Sequence, residues 1–361
     1  MSNIAIPNAT LWTSSHRGEA THRILSDSLG ARFIVPREYV GTRLLKKVVP
    51  LPGRVRIHLA TKLTPPSFCT PTSLTKSLVE QISVEHPIVI GRMGAPGPYS
   101  KDLLMIFDRN ETPKVALKIG TSIHGAELVR NEVCNIERLL KNPSIERFLP
   151  RVVFSRPLAG VYVMAEQFAQ GESGKKEMRS EYLHFLKALQ SEPCDPVGSV
   201  LFRCEAIALD LWKALESRWK HRIDRCLTAL KQLPDGLPKV FAHRDFTCWN
   251  IVNWQGGMTV LDWEYAAAGY TPMHDLFHYL LFRRCLSRGL SAALIRKTVQ
   301  DAKSAASKVG FGLITEAAPL QLLSYLLDLC LLHLKSHDGK ASSPAAERYG
   351  DVIDAFPDWS F

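Results

Sequence analysis

The segment His243-Arg244-Asp245-Phe246-Thr247-Cys248-Trp249-Asn250, followed by Leu261-Asp262-Trp263-Glu264, constrains this chain more than any other stretch. A short apolar run, Lys239-Val240-Phe241-Ala242, leads into it. Asn250 to Trp254 then reads as a strand, Gln255-Gly256-Gly257 as a turn, and Met258 to Leu261 as the returning strand. That hairpin brings Asn250 and Asp262 side by side, a short loop away from Asp245.

An Asp, an Asn and a second Asp in this order suit phosphoryl transfer. Its transition state is loose and anionic, so catalysis consists of positioning an acceptor hydroxyl and holding cations against phosphate oxygens. In the pattern H-R-D-x-x-x-x-N, Asp245 is expected to orient the hydroxyl and accept its proton, while Asn250 reaches a magnesium ion. Asp262 supplies the main metal ligand. Magnesium prefers hard oxygen ligands and keeps several waters, which one carboxylate, one amide and the nucleotide phosphates allow. A surface loop and a strand-end turn would explain each residue singly; the ordered set points to ATP with Mg2+.

Asp262-Trp263-Glu264-Tyr265-Ala266, then Gly269-Tyr270-Thr271-Pro272-Met273-His274-Asp275-Leu276, resembles the aminoglycoside phosphotransferase and choline kinase superfamily. The resemblance implies an α+β, bilobal protein-kinase-like fold, with a small antiparallel β-sheet lobe plus one helix and a larger, mostly helical lobe. Asp-Trp-Glu stands where protein kinases carry Asp-Phe-Gly, and no Ala-Pro-Glu follows. In the family an Asp on the next helix braces the catalytic loop, and Asp275 matches it; a first-turn carboxylate complementing the helix dipole accounts for the same residue. Thr271-Pro272 suits the start of that helix. Arg244 departs from the family, which usually has Gly or Asn there, and follows the protein-kinase pattern. His243 is expected to pack and hydrogen-bond rather than carry protons.

A small lobe of this type needs a strand Lys for the α/β-phosphates and a helical Glu to hold that Lys. Lys114-Val115-Ala116-Leu117-Lys118-Ile119 resembles the Val-Ala-Ile-Lys strand and nominates Lys118. From Ala126 to Leu140 apolar residues recur at helical spacing, with Glu132 on their inward side as partner. Gly91-x-x-Gly94 lies in a glycine-rich turn between strands at Pro87–Ile90 and Asp102–Phe107, where backbone amides can approach phosphates. Pro96 and Pro98 remove donors there, and an ordinary hairpin loop explains the same glycines. The apolar run Gly160 to Ala165 into Glu166-Gln167-Phe168 has the form of the hinge between lobes, so adenine is expected against the main chain of Glu166 to Phe168.

The implied organisation is an extension of unassigned role over 1–80, a nucleotide-binding small lobe over 81–168 and a helical large lobe over 169–361. Strands are expected near Arg32–Val35 and Val55–Leu59, and Thr64–Ser73 reads as a linker or connection. Large-lobe helices are expected near 181–189, 201–230, 275–285, 291–309 and 320–334. A 46% hydrophobic and 22% charged composition is ordinary for a folded protein. The longest apolar stretch, Leu322 to Leu334, contains Asp328 and reads as a buried helix rather than a membrane span. No secretory signal pattern opens the chain, so cytoplasmic residence is expected. The eight cysteines show neither zinc spacing nor a disulfide framework. The net charge of +10 favours anionic ligands, yet Arg43–Lys47 and Arg218–Arg222 are short mixed clusters without a nucleic-acid module.

Together these features imply a small-molecule kinase that uses ATP and Mg2+ on a hydroxyl acceptor, with no nucleic acid and no membrane span. A nucleotide-binding regulator or inactive scaffold, with a protein partner at the N-terminal segment, is the alternative; protein kinase activity is third. Among acceptors, aminoglycosides would call for an acidic pocket that the basic charge does not support. Choline would call for an aromatic cage, for which Trp249, Trp254, Trp263, Tyr265 and Tyr270 lie close in sequence. A sugar or sugar-derived alcohol is preferred on family breadth.

Overall fold

The apolar residues on either side of Lys118 form an interior strand of a nine-stranded antiparallel sheet in the computed structural model. The structure describes residues 11–14, 21–26, 32–36, 67–94, 99–158, 160–194, 200–288, 291–308, 315–335 and 344–356. The strands are β1 (Trp12–Ser14), β2 (His22–Ser26), β3 (Arg32–Pro36), β4 (Ser67–Pro71), β5 (Ile88–Met93), β6 (Lys101–Phe107), β7 (Pro113–Gly120), β8 (Val152–Leu158) and β9 (Val161–Gln167), in the order β1-β4-β2-β3-β5-β6-β7-β9-β8. The chain divides into two units, the first comprising residues to Ile136 and Pro150–Gln170, the second Glu137–Leu149 and Gly171–Phe361.

In the first unit, β6, β7 and β9 lie inside the sheet, and Leu104, Ile106, Leu117, Ile119 and Val163 are fully buried. Each such side chain contributes roughly 1.5–3 kcal/mol when removed from water. The segment before residue 81 shares this core: Trp12, Ile34 and Cys69 pack into the same cluster. Among the described residues two helices accompany the sheet. The first, α1 (Ser73–Glu80), is capped by Thr72, whose hydroxyl accepts from the Thr75 amide. Thr75 in turn donates its hydroxyl to the Leu11 carbonyl, which fixes β1 beside α1. The second, α2 (Ile123–Leu139), buries Val129, Val133, Ile136 and Leu139 at the expected spacing. The sheet is thus larger than the sequence suggests, because strand pairing by residues 12–14, 22–26, 32–36 and 67–71 leaves no contrast of composition to read. Part of the connection expected over 64–73 is β4 and the start of α1; the strand expected at 55–59 and the basic cluster 43–47 lie outside the described residues.

The second unit is mostly helical, as expected: α3 (Pro143–Glu146), α4 (Ser180–Gln190), α5 (Val200–Leu211), α6 (Ser217–Leu230), α7 (His274–Arg288), α8 (Ala292–Lys308), α9 (Ala318–Lys335) and α10 (Pro344–Asp354). Interspersed are β10 (Glu172–Ser173), β11 (Val240–Ala242), β12 (Ile251–Trp254), β13 (Gly257–Val260) and β14 (Ala267–Tyr270). β12 and β13 make the expected hairpin, flanked by β10, while β11 pairs with β14. The helix expected to run unbroken through 201–230 is two helices, since Glu216 adopts extended backbone. Neither Gly nor Pro marks that break, so apolar periodicity carries through it. Helix α9 is buried along most of its length, Asp328 included.

Candidate active site

The two units each hold part of the predicted set. In the first, Lys118 sits in register between Leu103 of β6 and Met164 of β9. Its ammonium lies 2.6 Å from the Glu132 Oε1 and 3.6 Å from the Glu166 Oε1. Lys118, Glu132 and Glu166 are all buried. The contact of Lys118 with Glu132 is the one the helical periodicity anticipates. That of Glu166 is new, since the sequence nominates this residue only for its main chain. Removing one member of such a buried pair leaves an uncompensated charge and costs about 3–5 kcal/mol.

Gly91 and Gly94 meet different neighbours. Gly91 is inside β5, and a Cβ there would lie 3.0 Å from the Trp12 ring, so the glycine makes room for the first strand. Gly94 closes against Lys101, where a Cβ would meet the carbonyl oxygen at 2.1 Å, and its N–H donates to Asp102 Oδ1 at 2.9 Å. Residues 95–98 of that turn lie outside the described residues. At the expected hinge, the Gln167 and Phe168 amides donate to the Arg151 and Lys114 carbonyls, at 2.8 and 2.9 Å.

In the second unit the loop after β11 is fixed by α7. The Asp275 carboxylate accepts from the His243 amide at 2.7 Å and the Arg244 amide at 2.8 Å. These bonds hold a turn in which Arg244 takes a positive φ of 68°, a left-handed conformation uncommon outside glycine. His243 is fully buried; its Nε2 donates to the Leu261 carbonyl at 2.9 Å, and its Nδ1 accepts from the Asp245 amide at 3.2 Å. Burial holds its pKa below the ordinary value, against the pull of Asp275 and Asp245. A neutral ring with both nitrogens engaged is thereby part of the scaffold.

Asp245 is held at both oxygens. Asn250 Nδ2 donates to its Oδ2 at 2.8 Å and to its backbone carbonyl at 3.0 Å, and His278 Nε2 lies 3.1 Å from its Oδ1. The hairpin register pairs Ile251 with Val260, and the Leu261 amide donates to the Asn250 carbonyl at 2.8 Å. Asp262 follows directly, with a φ of 63°. The structure thus brings Asp245, Asn250 and Asp262 onto adjoining loop and hairpin residues, as the spacing predicts. Among the described residues no group of three or more His, Cys, Asp or Glu could hold a metal.

Arg244 turns inward. Its guanidinium contacts both Asp328 oxygens, at 3.1 and 2.9 Å, donates to the Tyr265 carbonyl at 3.2 Å, and lies 5.0 Å from the Tyr270 ring centre. Burial opposes its charge, but Asp328, joined by Tyr270, outweighs this and holds its pKa above the ordinary value. His274, next to this pair, has its pKa lowered to about 4 by burial, with Asp328 and Asp275 pulling the other way.

Of the five aromatic residues near the motif, Trp263 and Tyr270 belong to the core, and Trp263 donates its indole N–H to the Val260 carbonyl. Trp249 and Trp254 are exposed. They do not form one cage.

A family model described as the phosphotransferase enzyme family matches residues 186–306. No curated protein matches the chain. Among solved structures, a putative fructosamine-3-kinase from Thermobifida fusca superposes with a TM-score of 0.53 at 18% identity, covering 79% of this chain and 99% of that one. An ethanolamine kinase from Plasmodium vivax gives 0.52 at 13% identity, covering 78% and 85%. An amicoumacin kinase, solved in complex with AMP-PNP and Ca2+, gives 0.51 at 14%, covering 80% and 94%. The fold is that of the protein-kinase-like phosphotransferases. The chain carries this fold and, over residues 186–306, matches the model of the phosphotransferase enzyme family.

Proposed function

We propose that the protein is an ATP-dependent phosphotransferase that moves the γ-phosphate of Mg-ATP to a hydroxyl of a small molecule of the sugar or amino alcohol type. The observation that carries this reading is the Asp245 carboxylate, fixed by Asn250 in a loop that Asp275 pins from below. Each carboxylate oxygen has two lone pairs, so Asp245 can accept the acceptor's hydroxyl hydrogen while keeping both contacts. As the new O–P bond forms and the bond to the β-phosphate oxygen breaks, the proton passes to Asp245 and ADP leaves. Lys118, steadied by Glu132, provides the cation for the nucleotide's α/β-phosphates. Glu166 and Phe168 would border the adenine, and Gly91 and Gly94 are the glycines of the strand and turn nominated to face the phosphates.

Asn250 uses its amide nitrogen on Asp245, which leaves its carbonyl oxygen as a hard donor; with the Asp262 carboxylate this suits magnesium. The ion supplies charge neutralisation on the transferring phosphoryl group. Two protein ligands are too few for tight binding alone, so the metal is expected to enter with the nucleotide. Mn2+ titrated into protein without nucleotide should bind weakly by electron paramagnetic resonance, and tightly once ADP is added; Asp262→Ala should remove the second behaviour.

The deciding experiment is ³¹P NMR of Mg-ATP with purified protein and pooled sugars, amino alcohols and aminoglycosides, beside Asp245→Asn. A new phosphoester signal absent from the variant is the expected result. Nucleotide line broadening without product in any pool would favour a nucleotide-binding regulator instead.

A further inference from the structure

Helix α7 carries more than the brace on the catalytic loop. Asp275 and His278 are three residues apart, so they occupy one face of α7, one turn after the other. Asp275 takes the backbone amides of His243 and Arg244, and His278 reaches the side chain of the residue that follows them, Asp245. A carboxylate can only accept, so His278 Nε2 must bear the hydrogen of that bond. The other ring nitrogen, Nδ1, lies 3.2 Å from the Tyr325 hydroxyl of α9. Among the described residues, both side-chain partners of the Asp245 carboxylate are therefore donors fixed in the fold, Asn250 on Oδ2 and His278 on Oδ1.

The surroundings leave His278 one orientation. It is 2% exposed, and Phe282 stacks on it at 4.6 Å with a tilt of only 18°. Tyr325 is fully buried and meets the ring edge-on at 5.7 Å. A histidine that merely filled space would need packing alone; here both nitrogens are aligned, one of them on Asp245. Tyr325 also precedes Asp328 by three residues on α9, so the helix that anchors Arg244 anchors His278 as well.

We propose that His278 is a positioning residue: with Tyr325 behind it, it sets the rotation of the Asp245 carboxylate so that one oxygen faces the acceptor hydroxyl. The inference rests on the phosphotransferase reading for its meaning, but not for its test. A carboxylate free to rotate would lose the near-attack geometry, and misplacement by about 1 Å costs about 100-fold in rate.

The test combines a spectroscopic and a kinetic arm, on the full chain. Imidazole nitrogens are observed by ¹⁵N NMR, His278 being assigned from its absence in His278→Gln. Its resonances should move in both Asp245→Asn and Tyr325→Phe, with Nε2 protonated; if neither variant moves them, the proposal is overturned whether or not the protein turns over ATP. In the kinetic arm, His278→Leu should lower kcat by about 100-fold with KM for ATP unchanged, and His278→Gln, which keeps a side-chain N–H, should recover most of that loss. Equal rates for Leu and wild type, with matching circular dichroism and melting curves, would also overturn it. Absence of any wild-type turnover would refute the phosphotransferase reading alone and leave the NMR arm to decide the positioning.

Discussion

Asp275 illustrates how one side chain can hold a strained loop. Its two oxygens accept from consecutive backbone amides, one of them at a residue with φ of 68°. Hydrogen bonds to a charged acceptor contribute about 1.5–3 kcal/mol each, so Asp275→Ala, which removes two, should cost about 3–6 kcal/mol in urea unfolding. Asp275→Asn should not relieve the loss, because its NH2 would face a backbone N–H. The sequence offers Asp275 two accounts, a helix-dipole carboxylate and a loop brace, and the hydrogen bonds belong to the brace. His278 was equally visible three residues on, a polar residue repeating the Asp275 face. What the sequence lacks is any indication that this face points at Asp245.

At the level of elements, α9 and the loop after β11 are joined by the Arg244–Asp328 pair. Breaking one side of such a pair costs about 3–5 kcal/mol, whereas replacing both by apolar side chains is often neutral. Arg244→Met and Asp328→Leu should each lower stability by that order, and the double variant should be more stable than either single one. A chemical-denaturation double-mutant cycle checks this. Asp328 is legible in the sequence only as a charge inside an apolar helix. Its partner is 84 residues away, a separation at which spacing carries no information. Short-range features fared better. The hairpin that unites Asn250 with Asp262 is local, and its turn residues announce it. The Lys118–Glu132 contact joins neighbouring elements, so helical periodicity suffices to place Glu132 inward. The break between α5 and α6 and the place of β1 to β4 in the sheet depend on tertiary pairing instead.

For the molecule as a whole, acid should act through its buried histidines. His274 has no hydrogen-bond partner on either ring nitrogen among the described residues, and its pKa falls from 6.5 to about 4. As pH drops, the unfolded chain binds that proton first. Stability is therefore intact above pH 6.5 and declines between 6.5 and about 4, by about 3 kcal/mol from this group. His274→Phe keeps the edge-on contacts with Tyr270 and Tyr325 and should flatten that limb of a stability-against-pH curve. Strand order in the large sheet also bears on how the protein is made. Among the described residues Trp12–Ser14 has one neighbour in the sheet, Ser67–Pro71, whereas the pair His22–Ser26 and Arg32–Pro36 is a local hairpin. On a ribosome, which releases a chain from its amino end, Trp12–Ser14 emerges more than 50 residues ahead of Ser67–Pro71 and must wait for it before it can dock. A chain stalled before residue 67 therefore holds Trp12–Ser14 without the strand on which it docks.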